Sequence, residues 1–166
     1  MAKTINGIEQ GRADFAYQCA LDGKNISSKR LIQEYENQWF KDDKYKSYVK
    51  SLPMMIKTNG LGATIAFVFS KKAKEKEVNR VKYNPGTESN PKNAYDLIYA
   101  HINHWLHLPE NVYLLDGKES LELTCAIVEL PSGQYRAVTN EVLALFNWLR
   151  RFAEGLIEGD EIIDAR

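Results

Sequence analysis

The sequence predicts an all-α protein, a compact single-domain bundle of five to seven helices, on three observations. Apolar residues recur at helical rather than alternating spacing along almost the whole chain. The 166 residues, 44% of them apolar, suffice for one hydrophobic core. The 2 cysteines, Cys19 and Cys125, each lie in an apolar run and read as buried small side chains, so the fold is expected to rest on packing without disulfides or metal. They also point to a reducing, cytoplasmic compartment. The start, MAKTINGIEQ, has no apolar stretch of signal-peptide length, and no window approaches the roughly 20 apolar residues of a membrane span.

The elements follow in order. From Ile5 to Leu21, Ile8, Arg12, Phe15, Ala16, Cys19 and Ala20 fall at helical spacing, and DGKN at 22–25 is expected to stop this first helix. Ser27 and Ser28 are candidate caps for a second, RLIQEYENQWF, with Leu31, Ile32, Tyr35 and Trp39 on one side. A third runs from near Lys41 toward Ser70. Advancing about 100° per residue from Tyr45, the side chains of Tyr48, Val49, Leu52, Ile56, Ala63, Ala66 and Phe67 stay within about 60° of it, which predicts one core stripe. Pro53 should bend this helix, and Asn59, Gly60 and Gly62 mark a second bend or a close approach, most simply as packing glycines. LGATIAFVF beyond them is apolar nearly all round, as in a segment central to the core or beneath a partner subunit.

Residues 71–93 form a polar excursion whose first part, to Lys82, extends the helix with lysines in solvent, and whose NPGTESNP is turn and loop. Asn93 or Lys92 opens the next helix, with Ala94, Tyr95, Ile98, Ile102 and Trp105 inward, closing near Leu108 and Pro109. A turn at Asp116 and Gly117 leads to ESLELTCAIVEL, helix or strand by pattern and helix by its length and surroundings. PSG at 131–133 introduces the last long helix, with Val138, Val142, Leu145, Leu149, Phe152 and Leu156 on one face and Trp148 in the core beside them. The acidic tail EGDEIIDAR frays. No internal repeat is apparent.

The charges balance at 22 basic and 22 acidic, which taken alone argues against a nucleic-acid binder. They are unevenly spread: up to Lys82 there are 16 basic and 9 acidic residues, and from Tyr83 onward 6 and 13. Either the particle is two-faced, or the two halves interleave in space and their charges mix.

Tests for reaction chemistry find little. His101, His104 and His107 fall within seven residues, but each steps about 60° around the helix so that His107 is about 120° from His101, and no Cys or carboxylate stands at complementary spacing; a polar helix end is the simpler reading. HExxH, GxSxG and CxxC are absent, Glu-x-x-His is absent, and Asn59-Gly60-Leu61-Gly62 lacks the rest of any phosphate-loop pattern. No catalytic residue, metal ligand or cofactor is therefore predicted. Arg12 lies on the apolar side of its helix and needs an inward acid, for which Asp96 and Glu141 are the candidates. Lys46, Lys50 and Lys57 share a strip of about 40° on one helix flank, and Arg150 and Arg151 stand beside Trp148 on the last. Clustered cations suit phosphate, though solvated helices carry the same pattern, so spacing leaves nucleic-acid contact and a protein-only scaffold equally open.

YKSYVKSLPMMIKTNGLGATIAFVFSK at 45–71, followed by YRAVTNEVLALFNWLRRFAEGL at 135–156, closely resembles the small helical subunit of the Cmr complex, the type III-B CRISPR RNA-guided effector. Gly11-Arg12-Ala13, and Ala94-Tyr95 with Ile98 and Trp105, fit as well, so the likeness spans about residues 8–157. It implies an all-α subunit without catalytic activity of its own. Several copies stack in a short filament beside the subunits that hold the CRISPR RNA, lining the guide-target channel, while cleavage and cyclic-oligoadenylate chemistry belong to other subunits. The expected partners are other Cmr subunits, copies of itself, CRISPR RNA and target RNA, with no membrane. Lys46, Lys50, Lys57, Arg150 and Arg151 become the expected RNA-facing residues. The competing readings are a scaffold without RNA contact and a small helical enzyme using a buried Cys or His.

Overall fold

A computed structural model describes residues 5–27, 43–72 and 93–158. Within them are six α-helices and one 3-10 turn: α1 (Ile5–Ser27), α2 (Tyr45–Asn59), α3 (Leu61–Lys71), α4 (Ala94–His107), the 3-10 turn Val112–Leu115, α5 (Leu123–Val128) and α6 (Ser132–Leu156). No strand occurs among the described residues, and the helical reading of ESLELTCAIVEL holds, shortened to α5. The expected second helix, the lysine-rich extension after Lys72 and the acidic tail lie outside the described residues.

α6 is the organising element. α1 and α2 pack along it, α4 packs on α1, α2 and α3, and α5 sits against α3. Its buried stripe is Val138, Val142, Leu145, Phe146, Leu149 and Ala153, the face the spacing predicts, shifted by a residue at its edges. Leu52, Ile56, Ile98, Ile102 and Leu106 complete the same core from α2 and α4. Trp148 and Phe152 are packed against its margin, only partly buried.

Two boundaries differ from expectation. α1 does not stop at Gly23: it continues to Ser27, whose hydroxyl donates to the Gly23 carbonyl at 2.8 Å. Gly23 serves packing, since a Cβ there would overlap the ring of the fully buried Tyr45. Pro53 lies inside α2, where the sequence places it. The helix ends at Gly60, whose φ of 88° and ψ of 160° belong to a region open to glycine and strained for other residues.

This break resets the helical phase. Beyond it the buried side chains are Leu61, Thr64, Ile65 and Val68, while Ala63 and Ala66, placed on the core stripe by an uninterrupted helix, face solvent. The buried direction has turned by roughly 150° from the Tyr45 stripe. The close approach at the glycines comes from a side chain: the Gly62 N–H, unpaired by helix geometry in the first turn of α3, donates to the Tyr135 hydroxyl at 2.8 Å. α4 opens as predicted, with Asn93 accepting from the Asp96 N–H at 2.9 Å.

Candidate nucleic-acid interface

α2 and α6 run antiparallel, so the flank carrying Lys46, Lys50 and Lys57 faces α6 from its C-terminal end backward. The structure separates these three lysines. Lys46 is 5% exposed, and its ammonium donates to the Ile157 carbonyl at 3.3 Å. It is a seam residue, covered and bonded within the protein. Lys50, half exposed, lies 3.7 Å from Glu154.

Lys57 is exposed and, with Arg150, lines an open groove of about 390 Å³ between the two helices. Pro53, Leu143, Ala144 and Phe146 form its apolar lining, and Asn140 and Asn147 add two amides. Neither Lys57 nor Arg150 has an ion-pair or hydrogen-bond partner among the described residues. Arg151 is exposed but lies about 100° around α6 from Arg150, outside the groove. The five expected cations thus resolve into two at the groove, one beside it in an ion pair, one buried, and one on another face. Asn140, Asn147 and Glu154 carried no sequence signal, because only the pairing of α6 with α2 gives their positions meaning.

The charges of the two halves of the chain mix. Arg12 donates through Nε and Nη2 to the two carboxylate oxygens of Glu141 at 2.9 and 2.8 Å, and through Nη1 to Glu9 at 2.7 Å. Of its two candidate acids, Glu141 is the partner. Trp105 and Trp148 add indole N–H bonds to Glu141 and Glu9, at 3.1 and 2.9 Å. The indole and guanidinium hold the Glu9 carboxyl below its ordinary range, and Glu141 raises the guanidinium's. Lys72 approaches Asp96 at 4.0 Å. With Lys50 and Glu154, these contacts join basic N-terminal residues to acidic C-terminal ones, so the charges of the two halves meet at these seams.

The histidines also diverge. His101 is buried: Tyr45 O–H donates to its Nδ1 at 3.0 Å, and its Nε2–H donates to Asp22 at 3.0 Å, the tautomer that an acceptor-only carboxylate requires. This corrects its reading as a helix-end residue, since it ties α1, α2 and α4 together. His104 is exposed with its ring edge against Phe15, and His107 lies between the Asn103 and Glu119 carbonyls. Among the described residues no three His, Cys, Asp or Glu side chains are grouped to hold a metal ion.

Cys19 is 2% exposed, and burial, with Asp22 nearby, pushes its thiol well above the usual value; burial does the same to the Tyr45 phenol. Both stay protonated at neutral pH, and a buried thiol is a poor nucleophile. Cys125, expected inside, is exposed: α5 turns Leu123, Ala126 and Ile127 inward, leaving Cys125 and Val128 outside. No helix among the described residues is long and apolar enough to cross a membrane.

Comparison with known proteins identifies the fold and the family. The crystal structure of a CRISPR-associated Cmr5 family protein from Thermus thermophilus superposes with a TM-score of 0.54 at 22% identity, covering 90% of this chain and 96% of that one. A family model described as CRISPR-associated protein (Cas_Cmr5) matches residues 8–156. The chain belongs to this family.

Proposed function

We propose that this Cas_Cmr5 family chain is the non-catalytic small subunit of a type III-B CRISPR effector complex, a cytoplasmic particle. Copies of it stack beside the other Cmr subunits and line the channel for CRISPR RNA and its target. One observation carries the RNA contact: among the described residues Lys57 and Arg150 stand without carboxylate partners on one open groove, while the other cations facing α6 from α1 and α2 are paired or buried. Cations left uncompensated at a cleft attract phosphate without reading bases, which suits a subunit serving any guide sequence. The packed state of Cys19, Tyr45 and His101 supports the non-catalytic part, because a reacting group must be reached by substrate.

The test is the assembled complex carrying Lys57→Glu and Arg150→Glu together. Target-RNA retention is expected to fall at least tenfold, and its salt dependence to flatten. Unchanged affinity and slope remove the groove from the RNA path. They then leave the scaffold reading, which the exposed Met54, Tyr113 and Val128 favour as protein contacts.

A further inference from the structure

The α2–α6 seam changes character along its length. At one end Lys46 is covered and bonded to the Ile157 carbonyl. One turn on, Lys50 meets Glu154. Two turns beyond Lys50 on α2, about 10 Å along the axis, stands Lys57, and one turn before Glu154 on α6 stands Arg150; neither has a partner among the described residues. All three lysines share one flank, so without Glu154 the positive charge would continue from Lys57 to Lys50. The groove itself combines an apolar lining with two amides and two cations, a composition that suits the sugar and base of an unstacked nucleotide and the phosphate beside it.

Resting on the RNA reading above, we infer that the groove is a short clamp for single-stranded nucleic-acid backbone, flanked by the Lys50–Glu154 pair, in which Glu154 withholds Lys50 from the phosphates. Glu154 is a positioning residue for the nucleic acid: by pairing with Lys50 it limits each subunit to the two cations Lys57 and Arg150. A subunit that grips weakly at one point lets affinity accumulate over stacked copies without trapping RNA on any one of them.

The prediction concerns the number of phosphate contacts, which the salt dependence of binding reports. Single-strand binding loses about 0.7 log units of affinity per tenfold rise in salt for each contact, so two cations give a slope of about 1.4. The experiment measures binding of the full chain to a single-stranded oligouridylate between about 50 and 200 mM KCl. Glu154→Gln is expected to steepen the slope by about 0.7, making the affinity change across that range about threefold larger. Lys50→Gln alone is expected to match wild type, and the Glu154→Gln gain is expected to vanish in a Lys50→Gln background.

A gain that persists without Lys50 overturns the inference, because removing one negative charge then acts through the general field. A wild-type slope in Glu154→Gln overturns it as well, as does a loss in Lys50→Gln alone. Failure of the RNA reading looks different: Lys57→Gln with Arg150→Gln then leaves oligouridylate binding unchanged, or wild type shows none. Lys50 and Glu154 are each about half exposed, so all these variants keep the fold.

Discussion

Helix α6 has two charged seams, one against α1 and one against α2, and their difference separates fold from function. On the α1 side Arg12 and Glu141 are 17% and 14% exposed and make a bidentate pair, with Glu9, Trp105 and Trp148 taking up remaining donors and acceptors. On the α2 side Lys57 and Arg150 lie open beside two asparagines, with no ion pair formed among the described residues. Both seams carry long basic side chains. What differs is whether tertiary packing brings a counter-charge to the cation, because a half-buried cation needs a partner and an exposed one does not.

The sharpest way to break this contrast is Glu141→Ala. It leaves a partly buried guanidinium with only Glu9 and strands the Trp105 N–H, and should lower unfolding stability by about 3 kcal/mol in urea denaturation. A loss under about 1 kcal/mol would make the α1 seam no more structural than a surface pair. Next in size, Tyr135→Phe removes the acceptor for the Gly62 N–H at the start of α3. A cost of about 1 kcal/mol is expected, with earlier amide exchange at Gly62 as the local readout.

On the open seam, Lys57→Gln with Arg150→Gln should shift stability by no more than about 0.5 kcal/mol, since no partner among the described residues is lost. A larger change would show that these cations support the fold.

The smallest effect is a pH dependence at Glu9. Its carboxyl titrates lower in the folded protein than when unfolded, because the Trp148 N–H bonds the ionised form and Arg12 attracts it. Its contribution is thus present above the ordinary carboxylate range and lost as pH falls through the depressed folded value. Denaturation of wild type and Glu9→Gln at a series of acidic pH values should show the two converging on the acid side. A gap that widens toward low pH contradicts the assignment.

Local pattern carried much of the fold. The stripe Tyr45, Val49, Leu52 and Ile56 on α2, the cap at Asn93 and the apolar face of α6 were legible because side chains three and four residues apart share a face whatever else the chain does. The phase of α3 was not, because one glycine at φ 88° turns everything after it. Cys125 reads as buried only until the shortness of α5 is known. His101 reads as a helix-end polar residue until Tyr45 and Asp22, from two other helices, close on its ring.

By itself, then, the sequence determined the helices, most of their inward faces, the lack of a recognisable catalytic motif and the likeness that family membership bears out. The tertiary structure decided which charges survive. Lys46, Lys50 and Lys57 are equivalent along one helix flank, and only the antiparallel placement of α6 buries the first, pairs the second with Glu154 and leaves the third beside Arg150. Helical phase is set by neighbours in sequence, whereas the fate of a charge depends on the field and solvent that distant segments bring to it.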